Sequence, residues 1–221
     1  PVTNEITASA IQIYSGEATV VLDREAAAKL KNIKQYPDKS LFQQKWTNPE
    51  KEDVMEFRRA VESDINRIMK IIKQAQDYFK EQGIDQWQNN YPNVEIIWED
   101  IVKGYGYVLL KKGEIIGTVA VSFDGEKTYE KIYEGKWISN LDYAVIHRMA
   151  VDSSLKGQGF ASIIINSIEK MCMFKDIRSI RADTHEDNRS MQRLLKKNGF
   201  QYCGIIYLKD NSKRLAFEKL I

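Results

Sequence analysis

Apolar positions along this chain recur with two periods, and each change of period marks an element. Residues 55–61 read as a strand, and Ile65, Ile68, Met69, Ile72, Ala75 and Phe79 then return at helical spacing. Ser63 or Asp64 caps that helix and Gly83 stops it. A second helix from Asn93 turns Val94, Ile97, Trp98 and Ile101 inward and ends at Gly104. Residues 107–110 and 115–123 pair as a hairpin across Lys112-Gly113, and 125–140 form a long polar and aromatic connection. Residues 143–151 are apolar and rich in β-branched side chains, as a buried strand requires. A polar loop leads from it into a helix with Phe160, Ala161, Ile164, Ile165, Ile168, Met171 and Cys172 on one stripe. A strand at 179–184, a helix at 188–198 and two strands, 200–208 and 214–220, turned at Asp210-Asn211, complete the chain. Ahead of residue 55 the pattern is weaker. Residues 10–14 and 19–22 suggest a hairpin around Ser15-Gly16, Asp23 caps a helix through Leu30, and 45–53 read as a polar connection.

The loop between the 143–151 strand and its helix carries the chemistry. Gly157 and Gly159 let backbone amides turn toward a common point at a helix N-terminus, which favours an anion and most often a phosphate. The loop lacks the Lys-Ser/Thr of a Walker motif. It also lacks a suitably placed acid for a dinucleotide fold, since Asp176 falls before the next strand and Asp183 is late.

Lys156-Gly157-Gln158-Gly159-Phe160-Ala161 instead resembles the Gln/Arg-x-x-Gly-x-Gly/Ala loop of the GNAT superfamily of acyl-CoA-dependent N-acyltransferases, with Lys in first place. Asn188, 29 residues after Gly159 and eleven before Gly199-Phe200, resembles the family's next motif. The resemblance covers residues 55–221, read as the N-acetyltransferase domain; residues 1–54 form an extension outside it. That extension is a packing or dimerisation addition, with a gene-fusion remnant as the rival reading. The resemblance implies an α/β (α+β) fold with a mixed, strongly twisted sheet and helices on both faces. It implies acetyl-CoA as donor and CoA as product. The backbone of Met149, Ala150 and Val151 would pair with the pantetheine arm, the amides of residues 157–161 with the pyrophosphate, and the Asn188 side chain with the cofactor. Many relatives place a tyrosine seven residues after that asparagine to protonate the leaving thiolate. Here the position is Leu195, so the general acid stays unassigned.

Transfer to an amine needs a base. His147 lies on the central strand with the parity of Met149 and Val151, and imidazole titrates at ~6.5. Asp183, Thr184 and His185 cluster at the end of the neighbouring strand and are the other catalytic or acceptor-positioning candidates. Arg148 and Arg181 read either as surface charges or as holders of an acceptor carboxylate, and Trp87 and Tyr91 fall where the resemblance implies a substrate lid.

Composition narrows the remainder. A net charge of +2 gives no support for a nucleic-acid partner, and no apolar run approaches a membrane span. Two cysteines and two distant histidines make no legible metal site. With no secretory signal at residues 1–10, a cytoplasmic enzyme is expected. The preferred acceptor is a small amine or amino-acid-like molecule. Rival readings are a peptide or protein N-acetyltransferase, a catalytically silent acyl-CoA-binding module, and a toxin-like enzyme acting on aminoacyl-tRNA.

Overall fold

The computed structural model describes residues 11–14, 17–20, 44–48 and 53–221. By its contacts the chain divides into two compact units, residues 1–40 and Leu41–Ile221. In the first, strands β1 (Ile11–Tyr14) and β2 (Glu17–Val20) pair antiparallel, as the sequence suggests. The helix expected after Asp23 lies outside the described residues.

The second unit is built on one sheet of eight strands. They are β3 (Gln44–Asn48), β4 (Asp53–Arg59), β5 (Gly106–Lys111), β6 (Glu114–Ser122), β7 (Tyr143–Val151), β8 (Ser179–Thr184), β9 (Gln201–Tyr207) and β10 (Lys213–Leu220), in the order β3-β4-β5-β6-β7-β8-β10-β9. Among the described residues only the β7–β8 pair is parallel. β3 is a correction: residues 45–53, expected as a connection, begin instead with a strand that extends the sheet beyond β4. Its short polar sequence carries no alternation, so the free edge of β4 supplied the partner that periodicity could not announce.

Among the described residues four helices cover the sheet: α1 (Ile65–Glu81), α2 (Val94–Val102), α3 (Phe160–Phe174) and α4 (Arg189–Lys197). Strand alternation sorts the side chains into two cores. Phe57, Tyr107, Leu109 and Ile146 pack with Phe160, Ile164, Ile168 and Leu195 from α3 and α4. Val108, Leu110 and Ala150 pack on the other face with Ile68, Ile71, Ile72 and Ile97 from α1 and α2. The result is a mixed α/β fold with helices on both faces. Asp64 accepts the Val61 amide at 2.9 Å and pairs with Arg58, which fixes the start of α1. α2 departs from expectation. Ile97 and Asp100 are buried, while Val94 and Trp98, expected inward, are half exposed. A partner for Asp100 outweighed the apolar pattern and set the rotation of this short helix.

Candidate active site

The β7–β8 ladder runs from Tyr143–Ser179 to Ile146–Ala182 and stops there, although both strands continue. The strands part beyond that point, and a cleft of about 810 Å³ opens, lined by Trp87, Asp100, Glu126, His147, Asp183 and Asn188 among others. On its other side β7 stays paired with β6 through Gly117–Val151. The far part of β7 therefore has a backbone edge without a strand partner among the described residues.

A β-bulge sits in that same stretch. Thr118 pairs with Ala150 and Ala120 with His147, so Arg148 and Met149 together oppose Val119. Arg148 takes φ +49°, a left-handed value costing about 1–3 kcal/mol for a non-glycine residue. The extra residue reverses alternation. Ile146, Met149 and Val151 pack toward α3, whereas Val145 packs on the opposite face. His147 therefore shares the face of Val145, not that of Met149 and Val151. The parity expected from the sequence fails because counting by twos cannot cross a bulge.

The loop after β7 is anchored from α1. Asp152 accepts Arg67 at 2.5 Å and the Ser154 amide and hydroxyl at 3.0 and 2.7 Å, while Gln74 accepts the Ser153 amide at 2.9 Å. These contacts hold the Asp152 carboxyl down at about 2, the Ser154 bond first and Arg67 after it, against burial. Gly159 has φ +89° and precedes α3; a Cβ added there would meet nothing within 4 Å. The loop's own turns use the amides of Leu155, Lys156 and Gln158, and Ser162 and Ile163 donate to the Gly159 carbonyl. The amides of Gly157, Gly159, Phe160 and Ala161 have no bonded acceptor among the described residues. This is open backbone at the positive end of a fifteen-residue helix, a fit for a phosphate group. The Phe160 side chain itself is core, and the Lys156 ammonium lies 3.5 Å from the Tyr78 ring centroid.

The loop and strand lie inside the region that is similar to known proteins. Residues 70–200 match the model of the acetyltransferase (GNAT) family. The chain belongs to the GNAT acetyltransferases. It is 35% identical to a GNAT-family acetyltransferase of Streptococcus agalactiae 2603, with a TM-score of 0.71 over 76% of this chain and 95% of that one. The uncharacterized N-acetyltransferase YesJ of Bacillus subtilis (strain 168) is 24% identical over 164 residues, 73% of this chain and 88% of its own. The PaiA N-acetyltransferase of Thermoplasma acidophilum, solved with coenzyme A, shares the fold at a TM-score of 0.57 and 16% identity, over 76% of this chain and 99% of that one.

Within this GNAT cleft the expected residues separate into groups. His147 faces Glu126, with Nε2 3.6 Å from Oε2, too long for a hydrogen bond and close enough for the carboxylate charge to act on the ring. Pairing with His147, and then two Thr128 bonds, hold the Glu126 carboxyl at about 2 against burial. Asp183 accepts the Tyr129 hydroxyl at 2.7 Å and lies 4.0 Å from Arg214. Burial first, and Asp183 next, push the Tyr129 phenol well above its usual value. His185 does not join His147 on the cleft lining: its Nδ1 accepts the Asp187 amide at 3.2 Å, a local turn beyond the end of β8. Thr184 is fully buried on the face opposite Asp183.

Asn188 lines the cleft, but both polar atoms of its side chain are engaged. Oδ1 caps α4 through the Met191 amide at 3.1 Å, and Nδ2 donates to Gln86 at 2.9 Å. Arg148 forms two 2.7 Å bonds to buried Asp100 and a 2.9 Å bond to the Tyr91 hydroxyl. Arg181 is buried between Trp137 and Tyr143, with Glu218 at 3.3 Å. Neither arginine stands open to an acceptor carboxylate, contrary to expectation. Trp87 lines the cleft and packs edge-on against Phe79.

Leu195 lies in the core with no exposed surface. Both cysteines are buried, and burial pushes the Cys172 thiol up to about 12, which removes it as a nucleophile near neutrality. Among the described residues no group of His, Cys, Asp or Glu is placed to hold a metal, and no helix is long and apolar enough to cross a membrane. Glu126, Asp100, Gln86 and Tyr129 were missed in the sequence. They reach the site from loops and helices tens of residues away, with no local motif.

Proposed function

We propose that this acetyltransferase moves an acetyl group from acetyl-CoA to the primary amine of a small molecule, by direct attack without a covalent enzyme intermediate. The observation that carries this reading is the parting of β7 and β8 at Ile146–Ala182, with His147 on the wall of the cleft and the open amides at the end of β7. The amides of Gly157, Gly159, Phe160 and Ala161 would hold the pyrophosphate of acetyl-CoA, and the free edge of β7 its pantetheine arm. When bound, acetyl-CoA supplies an acetyl group activated as a thioester. His147 takes a proton from the acceptor ammonium, which makes the nitrogen nucleophilic. With Leu195 in the position of the family's acid, the thiolate departs unassisted, which a thiol of pKa ~8.5 permits.

A cleft of about 810 Å³ suits a small acceptor beside the reactive arm of the donor. The engagement of Arg148 and Arg181 favours a plain amine over an amino acid. Thiol release from acetyl-CoA, measured with ethanolamine, putrescine, lysine and an alanine-starting tetrapeptide, tests the proposal. Fastest release with the simple amines is expected. Fastest release with the tetrapeptide would move the acceptor to peptides. Binding of CoA without thiol release from any of them would make the protein a silent module. His147→Gln should lower turnover ~10²–10⁴-fold and leave acetyl-CoA affinity in place.

A further inference from the structure

The segment that delivers Glu126 to His147 is fixed from behind. Glu218 is fully buried on β10, where its carboxylate accepts the amides of Ile138 and Ser139 and the hydroxyls of Ser139 and Ser179. Arg181 donates to the Ser139 carbonyl at 2.7 Å. Trp137 donates to the Tyr129 carbonyl at 2.9 Å, and Tyr133 forms a bridge with Ile205 of β9. Gly135 lies so close to β9 that a Cβ would meet the Cys203 carbonyl oxygen at 2.0 Å, so no other residue fits there. At the near end the Glu126 amide donates to the Tyr143 hydroxyl at 3.3 Å.

Glu126 itself is oriented. Oε1 accepts the amide and hydroxyl of Thr128, both at 3.0 Å, which leaves Oε2 turned to His147 Nε2. The other acids at this end of the cleft are engaged elsewhere: Asp124 with the Tyr105 hydroxyl, Asp183 with Tyr129 and near Arg214, Asp100 with Arg148. The His147 ring lies 6.4 Å from that of Tyr129. A carboxylate so placed does more than sit nearby. A negative charge beside one imidazole nitrogen favours the tautomer that carries its proton there, even at 3.6 Å.

We propose that Glu126 is the positioning residue of His147. Across 3.6 Å its negative charge favours the neutral tautomer protonated at Nε2 and leaves the Nδ1 lone pair to take the acceptor's proton. In that step an ammonium N–H bond breaks, its electron pair stays on the amine nitrogen, and a new N–H bond forms at Nδ1. The pair formed by Glu126 and His147 passes from a net charge of −1 to 0, so the imidazolium forms beside its counter-ion. This rests on the reading of His147 as the base. The low value of the Glu126 carboxyl keeps it ionised throughout the neutral range.

The chain has two histidines, so ¹⁵N-imidazole NMR resolves both rings, and His185→Gln assigns them. Neutral His147 should be a single tautomer protonated at Nε2, and Glu126→Gln should turn it into a mixture. A wild-type tautomer protonated at Nδ1 overturns the proposal, and this result needs no variant at position 126. Turnover with the best amine of the panel is the second arm. Glu126→Gln should lower kcat about 10- to 100-fold, leave the KM for acetyl-CoA unchanged, and add nothing in the His147→Gln background. An effect confined to the acceptor KM would make Glu126 an acceptor ligand and overturn the positioning role. Loss in His147→Gln with normal turnover in Glu126→Gln removes Glu126 alone; normal turnover in His147→Gln removes the base, and Glu126 with it.

Discussion

Gly159 offers a way to separate backbone strain from anion binding. At φ +89° a residue with a Cβ costs about 1–2 kcal/mol, and the open space around the site adds no clash. Gly159→Ala should therefore lower the melting temperature by about 2–8 °C, at about 2–4 °C per kcal/mol for a chain of this size. Gly159→Asp carries the same backbone cost, and its carboxylate lies at the favourable end of the α3 dipole, so it should melt no lower than the alanine variant. Ligand binding should part the two. A carboxylate about 4 Å from a phosphate is repelled by about 4 kcal/mol at an effective dielectric of 20, and by roughly half of that when screened. CoA should then bind about 30- to 700-fold more weakly to Gly159→Asp than to Gly159→Ala. Calorimetric titration with CoA measures this directly. Acetyl-pantetheine, which has no pyrophosphate, is the internal control and should serve both variants equally as a donor. Equal CoA affinity in the two variants at matched stability would refute the anion-site reasoning. A parallel loss with acetyl-pantetheine would place the damage outside the phosphate site.

Three further outcomes follow from other parts of the fold. Asp100→Ala leaves the Arg148 guanidinium buried without its bidentate partner and should destabilise the protein by about 3–5 kcal/mol in urea unfolding; an unchanged midpoint would mean that Arg148 repacks freely. Glu126 and Asp152 both have carboxyl pKa values lowered to about 2, so their stabilisation is fully present above about pH 4.5 and lost as pH falls toward 2. Glu126→Gln and Asp152→Asn should flatten the acid limb of the stability–pH curve, and a limb as steep as in the wild type would assign it to other groups. We place the functional unit at Leu41–Ile221: a protein starting at Leu41 should fold and bind CoA, whereas one starting at Met55 lacks β3 and the first residues of β4 and should melt at lower temperature. Equal melting temperatures would make β3 dispensable.

The sequence by itself determined most of the architecture. The order of strands and helices from β4 onward was readable because burial of one helix stripe or one strand face imposes a period on consecutive residues. The glycine loop was readable for a similar reason, since Gly157 and Gly159 answer a local backbone demand, and the α3 stripe was buried largely as expected; of the α1 stripe Ile68, Ile72 and Phe79 are buried, with Ile71 beside them, while Ile65, Met69 and Ala75 are only partly covered. β3 escaped because a short edge strand needs a neighbour's free edge and no periodic core face. Tertiary structure decided the site. The bulge at Arg148 and Met149 turned His147 away from the face that counting assigned to it, and Asp100 set both the rotation of α2 and the fate of Arg148. Glu126 reached His147, and Tyr129 reached Asp183, across separations of 21 and 54 residues. A period records what a residue's neighbours along the chain require. Charge partners at long range leave no period, so only the folded chain could bring them together.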